Sequence, residues 1–225
     1  MQVQLNAMQT QTEENYLKAI YRLGQENTQK VTPKGISDAL GNSAASVVDM
    51  LRKLTEKQLI DYDKRKGVRL TPQGEKNAVL IIRRHRLWEV FLLQKLGYEW
   101  DQIHVIAEEL EHIKDDSLPD RLDKFLGFPE YDPHGDPIPK ANGKVPKSYS
   151  VTLANLKEGK VCRVAAVRDT SSTFLQYLLK LEIGIGTPIQ LIEKISFDGS
   201  LVISIGGKDK TTVSQKFGEN ILVDA

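Results

Sequence analysis

Residues 31–78 read VTPKGISDALGNSAASVVDMLRKLTEKQLIDYDKRKGVRLTPQGEKNA, and the punctuation of this stretch decides the fold of the N-terminal part. Thr32 followed by Pro33 is a helix start: the hydroxyl can accept an orphan backbone N–H, and proline at the first helical position lacks an N–H that would go unpaired there. That helix ends at Leu40-Gly41. Asn42 or Ser43 caps the next one, which turns Val47, Leu51 and Leu54 inward and Ser46, Asp49, Arg52 and Lys53 outward. Two short helices with a tight turn between them form a helix-turn-helix. LIDYDKRKGVRLT then reads as two short strands around KRKG, a wing, and TPQGEK opens another helix. Such a module suits DNA. Small polar residues at the start of the second helix let it enter the major groove, and wing cations meet phosphates. The residues so placed are Ser43, Ala44, Ser46, Asp49 and Lys53 on the helix and Lys64, Arg65 and Lys66 on the wing. The alternative is a protein-interaction module of the same three-helix build, with KRK a solvated turn.

Charge supports the first reading. The chain has 225 residues and a net charge of only +1. Residues 30–76, however, carry ten Lys/Arg against six acids, and residues 97–136 carry three against twelve. A basic segment followed by an acidic one suggests a polyanion on one side and cations on the other. Hydrophobic residues make up 40% and charged residues 27%, as in ordinary globular proteins. No apolar run approaches the roughly 20 residues of a membrane span, and MQVQLNAMQTQTEEN has no apolar signal core, so a cytoplasmic protein is expected. One cysteine, Cys162, excludes an internal disulfide or a Cys-rich zinc module and is expected to be a small buried hydrophobe in a strand, so any metal must be held by nitrogen and oxygen.

Upstream, TEENYLKAIYRLG is expected to be a helix with Leu17, Ile20 and Tyr21 on one side and Gly24 as its stop. Downstream, texture changes twice. Five of the nine prolines fall in residues 129–150, which predicts an extended linker. After it, short β-branched runs alternate with glycine turns, which predicts a β-barrel of about 75 residues. The expected organisation is therefore a winged helix-turn-helix domain over 1–74, a helical domain over 75–128, a Pro/Gly-rich linker over 129–150 and a barrel over 151–225.

Two helical stretches hold three of the four histidines. In HVIAEELEH, residues 104–112, a turn of about 100° per residue puts His104, Glu108, Glu111 and His112 within one arc, with Ile103, Ile106, Leu110 and Ile113 opposite. That arc is either a solvated face or a metal site. In EKNAVLIIRRHRLWEVFLLQKL, residues 75–96, His85 and Glu89 fall inside the stripe formed by Ala78, Ile81, Ile82, Leu92, Leu93 and Leu96. A carboxylate there costs several kcal/mol unless it is paired or holds a cation. A His–Glu hydrogen bond and a metal both answer that cost. Leu80, Leu87 and Phe91 form a second stripe opposite His85, available either to a dimer partner or to packing within the subunit.

EENYLKAIYRL (13–23), the winged helix, RRHRLWE (83–89), HVIAEELEH and DPHGDPIP (132–139) occur together and in order, and in this the chain resembles the iron- and manganese-dependent repressors typified by the diphtheria toxin repressor and the manganese transport regulator. The resemblance covers essentially the whole chain. It implies a mainly α N-terminal part, with a winged helix-turn-helix and a helical dimerisation and metal-sensing domain, followed by a small all-β SH3-like barrel. It also implies a homodimer that binds double-stranded operator DNA when a divalent ion is bound, repressing manganese- or iron-uptake genes, and no enzymatic activity. The implied ligands are His85, Glu89, His104, Glu108, Glu111 and His112, with Asn15 a weaker neutral donor on the first helix. Glu108 stands where iron-type members have cysteine, which favours Mn2+ over Fe2+ by ligand hardness, although His104 is more typical of the iron type. The stretch DTSSTFLQ, where the barrel supplies ligands in some members, offers only Asp169. Two rivals are a winged-helix regulator that responds to a small organic ligand and a metal-dependent hydrolase. The latter lacks an HExxH motif, a nucleophile elbow or a phosphate loop.

Overall fold

The computed structural model describes residues 9–26, 30–208 and 210–224. They form two compact units. The first holds the described residues up to Arg84 with Glu111–Lys114 and Pro139–Lys144; the second holds His85–Leu110, Asp115–Ile138 and the rest from Val145.

In the first unit, α1 (Gln11–Glu26) is followed by α2 (Pro33–Leu40), α3 (Ala44–Glu56), β1 (Ile60–Asp63) and β2 (Gly67–Leu70). Helix α1 runs through Gly24 rather than stopping there. Gly24 does not adopt the left-handed conformation that would end the helix. Thr32 caps α2 by accepting the Gly35 N–H, Pro33 is its first residue, and Ser43 caps α3 by accepting the Ser46 N–H. Tyr16, Leu17 and Ile20 of α1 share one core with Ile36, Val47, Leu51 and Leu54 of the helix pair and with Ile60 and Val68 of the wing. Strands β1 and β2 pair antiparallel from Ile60–Leu70 to Asp63–Gly67, and Val31 bridges to Val68. Helix α4 (Pro72–Leu96) begins in this unit and continues from His85 in the second.

The second unit adds α5 (Ile103–Leu110) and α6 (Leu118–Phe125). It then contains β3 (Val161–Val167), α7 (Ser172–Lys180), β4 (Pro188–Lys194), β5 (Leu201–Ile205), β6 (Lys210–Val213), α8 (Gln215–Asn220) and β7 (Ile221–Asp224). Its five strands form one antiparallel sheet in the order β6-β5-β4-β3-β7. Helices α7 and α8 lie between strands of the expected barrel, and the IGIG stretch is a turn ahead of β4. Leu92, Trp100, Ile103 and Ala107 share the core of that sheet with Val164, Leu175, Ile189 and Ile203. Cys162 is buried in β3 and free, its thiol facing the Ile189 carbonyl. No helix of the described residues is long and apolar enough to cross a membrane.

Two expectations need correction, and one choice left open is narrowed. Helix α5 ends at Leu110, so Glu111 and His112 lie in the turn just beyond it, and only His104 and Glu108 stand on the helix itself. Residues 129–138 are not a loose linker: Asp132, His134 and Ile138 are buried. The stripe on α4 divides, with Leu87 fully buried beside Val90 and Leu122, Phe91 half-buried and Leu80 exposed.

Candidate metal centres

In the second unit, α4 and α5 bring His85, Glu89 and His104 together. Glu89 Oε1 lies 2.9 Å from His85 Nε2 and 3.1 Å from His104 Nδ1, and the two nitrogens are 3.2 Å apart. Donors about 2.1 Å from one ion at octahedral angles stand about 3 Å apart, so this spacing fits a shared divalent cation. Glu108, one turn beyond His104, places Oε1 3.6 Å from His104 Nε2 and 4.0 Å from His85 Nδ1. Glu89 itself is only 2% exposed, deep in the apolar stripe.

The other oxygen of Glu89 meets a residue the sequence reading left unused. His134, the fourth histidine, sets Nδ1 3.6 Å from Glu89 Oε2, and Glu89, Asp132 and His134 form a second buried group with metal-ligating atoms close together. Asp132 and His134 belong to DPHGDPIP, and their burial has identifiable causes. Arg86, one residue after His85, donates to the Pro137 carbonyl at 2.6 Å and to Asp136 Oδ2 at 3.0 Å, and its Nε lies 3.4 Å from Asp132 Oδ2. Trp100 donates to the Pro133 carbonyl at 3.1 Å and stacks on the His134 ring. Asp132 Oδ1 accepts the backbone N–H groups of His134 and Asp136. The His134 carbonyl accepts the Val167 N–H, which fixes the loop on β3. A histidine next to Gly and Asp within a Pro-rich run was the available signal, but composition alone reads that run as linker.

Electrostatics in this cluster are strained in opposite directions. Burial pushes the Glu89 carboxyl up, but the charge of His85 and hydrogen bonds from His104, His134 and His85 outweigh it, leaving Glu89 well below the usual carboxylate range. For Asp132, burial and the neighbouring charges of Glu89 and Asp136 prevail over Arg86 and His134, raising it to about 7. His134 Nε2 is buried with no hydrogen-bond partner among the described residues. A buried histidine grouped with the carboxylates of Glu89 and Asp132 is a donor set that a cation would complete. The donors are all nitrogen and oxygen, which suits a divalent first-row ion.

The first unit gathers a separate set. His112 Nδ1 is 2.5 Å from Glu14 Oε2, while Lys114 donates to Glu14 Oε1 at 2.6 Å and Arg84 Nη2 stands 3.4 Å from it. Burial raises the Glu14 carboxyl, but the bonds from Lys114 and His112 and the charge of Arg84 bring it below its ordinary value, so Glu14 is ionised. An ionised carboxylate only accepts, so the hydrogen of that contact is assigned to His112 Nδ1. The other ring nitrogen, Nε2, lies 3.7 Å from Glu111 Oε1. A histidine whose far nitrogen is fixed by a carboxylate is the usual form of a metal-ligating one. Asn15, the next residue on α1, has its Oδ1 buried with no hydrogen-bond partner among the described residues. Asn15, Glu111 and His112 thus offer, in one unit, oxygen and nitrogen donors of the kind a divalent ion takes. Of the six histidines and glutamates read from sequence, His85, Glu89, His104 and Glu108 belong to the second unit and Glu111 and His112 to the first.

The residues expected from sequence to face DNA lie in the first unit. Ser43, Ala44, Ser46, Asp49 and Lys53 are exposed along the start and outer face of α3. The Ser43 hydroxyl caps the helix and lies 2.9 Å from that of Ser46, and Asp49 makes only a loose contact with Arg52 at 3.9 Å. Lys64, Arg65 and Lys66 are exposed at the wing tip, where Asp63 Oδ1 accepts the N–H groups of Arg65 and Lys66 and shapes the turn.

Comparison with known proteins finds matches along most of the chain. Residues 8–68 match the family described as iron dependent repressor, N-terminal DNA binding domain. Residues 71–140 match iron dependent repressor, metal binding and dimerisation domain, and residues 151–225 match the FeoA domain. The diphtheria toxin repressor of Corynebacterium diphtheriae is 27% identical over 210 residues, 88% of this chain and 90% of that one. The iron-dependent repressor IdeR of Mycobacterium leprae is 25% identical over 228 residues, covering 95% and 96%. A solved manganese-dependent transcriptional repressor in complex with manganese is 36% identical, covers 94% of this chain and 98% of its own, and superposes with a TM-score of 0.85. The manganese regulator SloR is 35% identical, covers 94% and 97%, and gives 0.77.

Proposed function

Because the chain belongs to the family of metal-dependent transcriptional repressors, we propose that it is a homodimeric, cytoplasmic repressor of metal-uptake genes, with Mn2+ as co-repressor and Fe2+ the second choice. The observation that carries the reading is Glu89, a buried carboxylate ringed by His85, His104 and His134. In the second unit the proposed ligands are His85, Glu89, His104 and Glu108, joined by Asp132 and His134; in the first they are Asn15, Glu111 and His112. A divalent ion would supply positive charge to these clustered carboxylates when bound. The hard oxygen of Glu108 supports manganese, as does the absence of any thiolate from both donor sets.

A route from ligand to DNA runs inside the first unit. Asn15 and Tyr16 are neighbours on α1, and the Tyr16 hydroxyl accepts a hydrogen bond from Asn42 Nδ2 at 3.2 Å, in the turn between α2 and α3. Asn15 held together with Glu111 and His112 fixes the rotation of α1, and Tyr16 carries that rotation to the start of the recognition helix. An ion with higher affinity for that arrangement favours it by the difference.

The choice of ion is tested by Glu108→Cys. A thiolate at this half-buried position is expected to lower Mn2+ affinity and raise that for Fe2+, Co2+ and Zn2+, measured by competition against a chromophoric chelator, with circular dichroism to confirm folding. Unchanged Mn2+ affinity would remove Glu108 from the ligand set. The DNA contact is tested at the wing. Replacing Lys64, Arg65 and Lys66 with alanine is expected to weaken binding to all sequences alike and to flatten the slope of log affinity against log salt by up to about 2.7, at about 0.9 per lost phosphate contact. A triple variant with the parental slope would mean that the wing is off the phosphates.

A further inference from the structure

Lys18 lies on the buried side of α1, one turn after Glu14. Its Nζ is 2.8 Å from both carboxylate oxygens of Glu111, and the two side chains are 8% and 0% exposed. Lysine is almost never buried this far without a partner. Glu111 answers that need, and Lys18 in turn supplies a cation to a fully buried carboxylate. The other buried acid of this cluster, Glu14, is engaged by His112, Lys114 and Arg84. Glu111 is thus the carboxylate whose charge a bound ion would have to share with an ammonium already present.

We infer that Lys18 is an internal competitor for the divalent ion, a residue that sets the metal concentration at which this cluster fills. The inference rests on the reading of Glu111 as a ligand. If the ion displaces the ammonium, the buried Lys18–Glu111 ion pair is lost. If the ammonium stays, it stands within one residue's reach of a like-signed ion in a site shielded from water, where repulsion is strong. Either way Lys18 stabilises the metal-free form relative to the loaded one. Sensing thresholds then depend on a side chain that never touches the metal, and Lys18 acts as a positioning and affinity-setting residue.

The experiment is isothermal calorimetry of Mn2+ binding to the full chain, with thermal unfolding of metal-free and Mn2+-loaded protein alongside. The step that belongs to the other cluster is identified by its loss in Glu89→Gln. Lys18→Met and Lys18→Gln are expected to tighten the first-unit step about tenfold or more, through the loss of a nearby like charge. They are also expected to lower the melting temperature of the metal-free form, with Mn2+ restoring it; Lys18→Arg, which keeps the charge, should stay near the parental affinity. Unchanged or weaker Mn2+ binding in both neutral variants overturns the inference, provided Glu111→Gln weakens binding. If Glu111→Gln binds Mn2+ as the parent does, Glu111 is not a ligand, and the underlying reading falls together with the inference.

Discussion

Stripping the protein of divalent ions with a chelator is expected to lower its affinity for operator DNA about a hundredfold, near the upper end of ordinary coupling free energies between two ligands. Without a cation, Asn15 Oδ1 is a buried acceptor with no partner among the described residues. Without the ion, α1 is held to Glu111 and His112 through Lys18 and Glu14 alone, and the setting of α1 and of the Tyr16–Asn42 contact is expected to shift. The binding-competent population falls, and apparent affinity falls in proportion. The measurement is fluorescence anisotropy on a DNA fragment enriched from the upstream region in the presence of Mn2+, repeated after chelation and after adding Mn2+ back. Recovery with Mn2+ at lower concentration than with Mg2+ is the expected order. Equal affinity with and without metal would refute the co-repressor mechanism while leaving the winged helix as a DNA-binding module, and the small-organic-ligand reading would then take its place.

The second large effect is expected from Gly135→Ala. Gly135 sits in DPHGDPIP at φ +86°, a conformation that L side chains rarely adopt. A Cβ there would lie 2.1 Å from the Ala165 carbonyl oxygen and 2.5 Å from the Ala166 Cα, both backbone of β3. Neither neighbour can rotate away as a side chain would, so the loop must lift from the strand. A strained φ costs of order 1–3 kcal/mol, and overpacking against backbone adds a comparable amount, so a loss of about 3 kcal/mol or more is expected. In a chain of this length each kcal/mol corresponds to about 2–4 °C, which predicts a melting temperature lower by roughly 6–12 °C. Lifting the loop also draws His134 and Asp132 away from Glu89. Mn2+ affinity of the Glu89 cluster should therefore fall in the same variant while the Lys18–Glu111 pair remains. A parental melting temperature and metal affinity would show that the loop does not seat the cluster.

Local features of the chain were legible because they depend on neighbours in sequence. Thr32-Pro33, Leu40-Gly41 and Ser43 set the boundaries of the helix pair, and KRKG between two short strands set the wing, because capping and turn chemistry act within a few residues. His85 and Glu89 were legible for a related reason: polar residues inside an apolar helical stripe are costly, and the stripe is a property of the helix alone.

What tertiary structure decided is how groups distant in the chain share one carboxylate. Nothing local to DPHGDPIP says that Arg86, 46 to 51 residues earlier, will hold it, or that Trp100 and β3 will bury it. Proline and glycine there suit an extended chain as well as a packed loop. The end of α5 at Leu110 was equally hidden, since residues 104–112 keep helical spacing on paper. It is the buried bonds of Glu111 to Lys18 and of His112 to Glu14, 93 and 98 residues away, that hold those two side chains in the first unit. Periodicity in the chain determines which helices carry ligands, but long-range ion pairs, formed only when remote segments pack, decide which ligands meet.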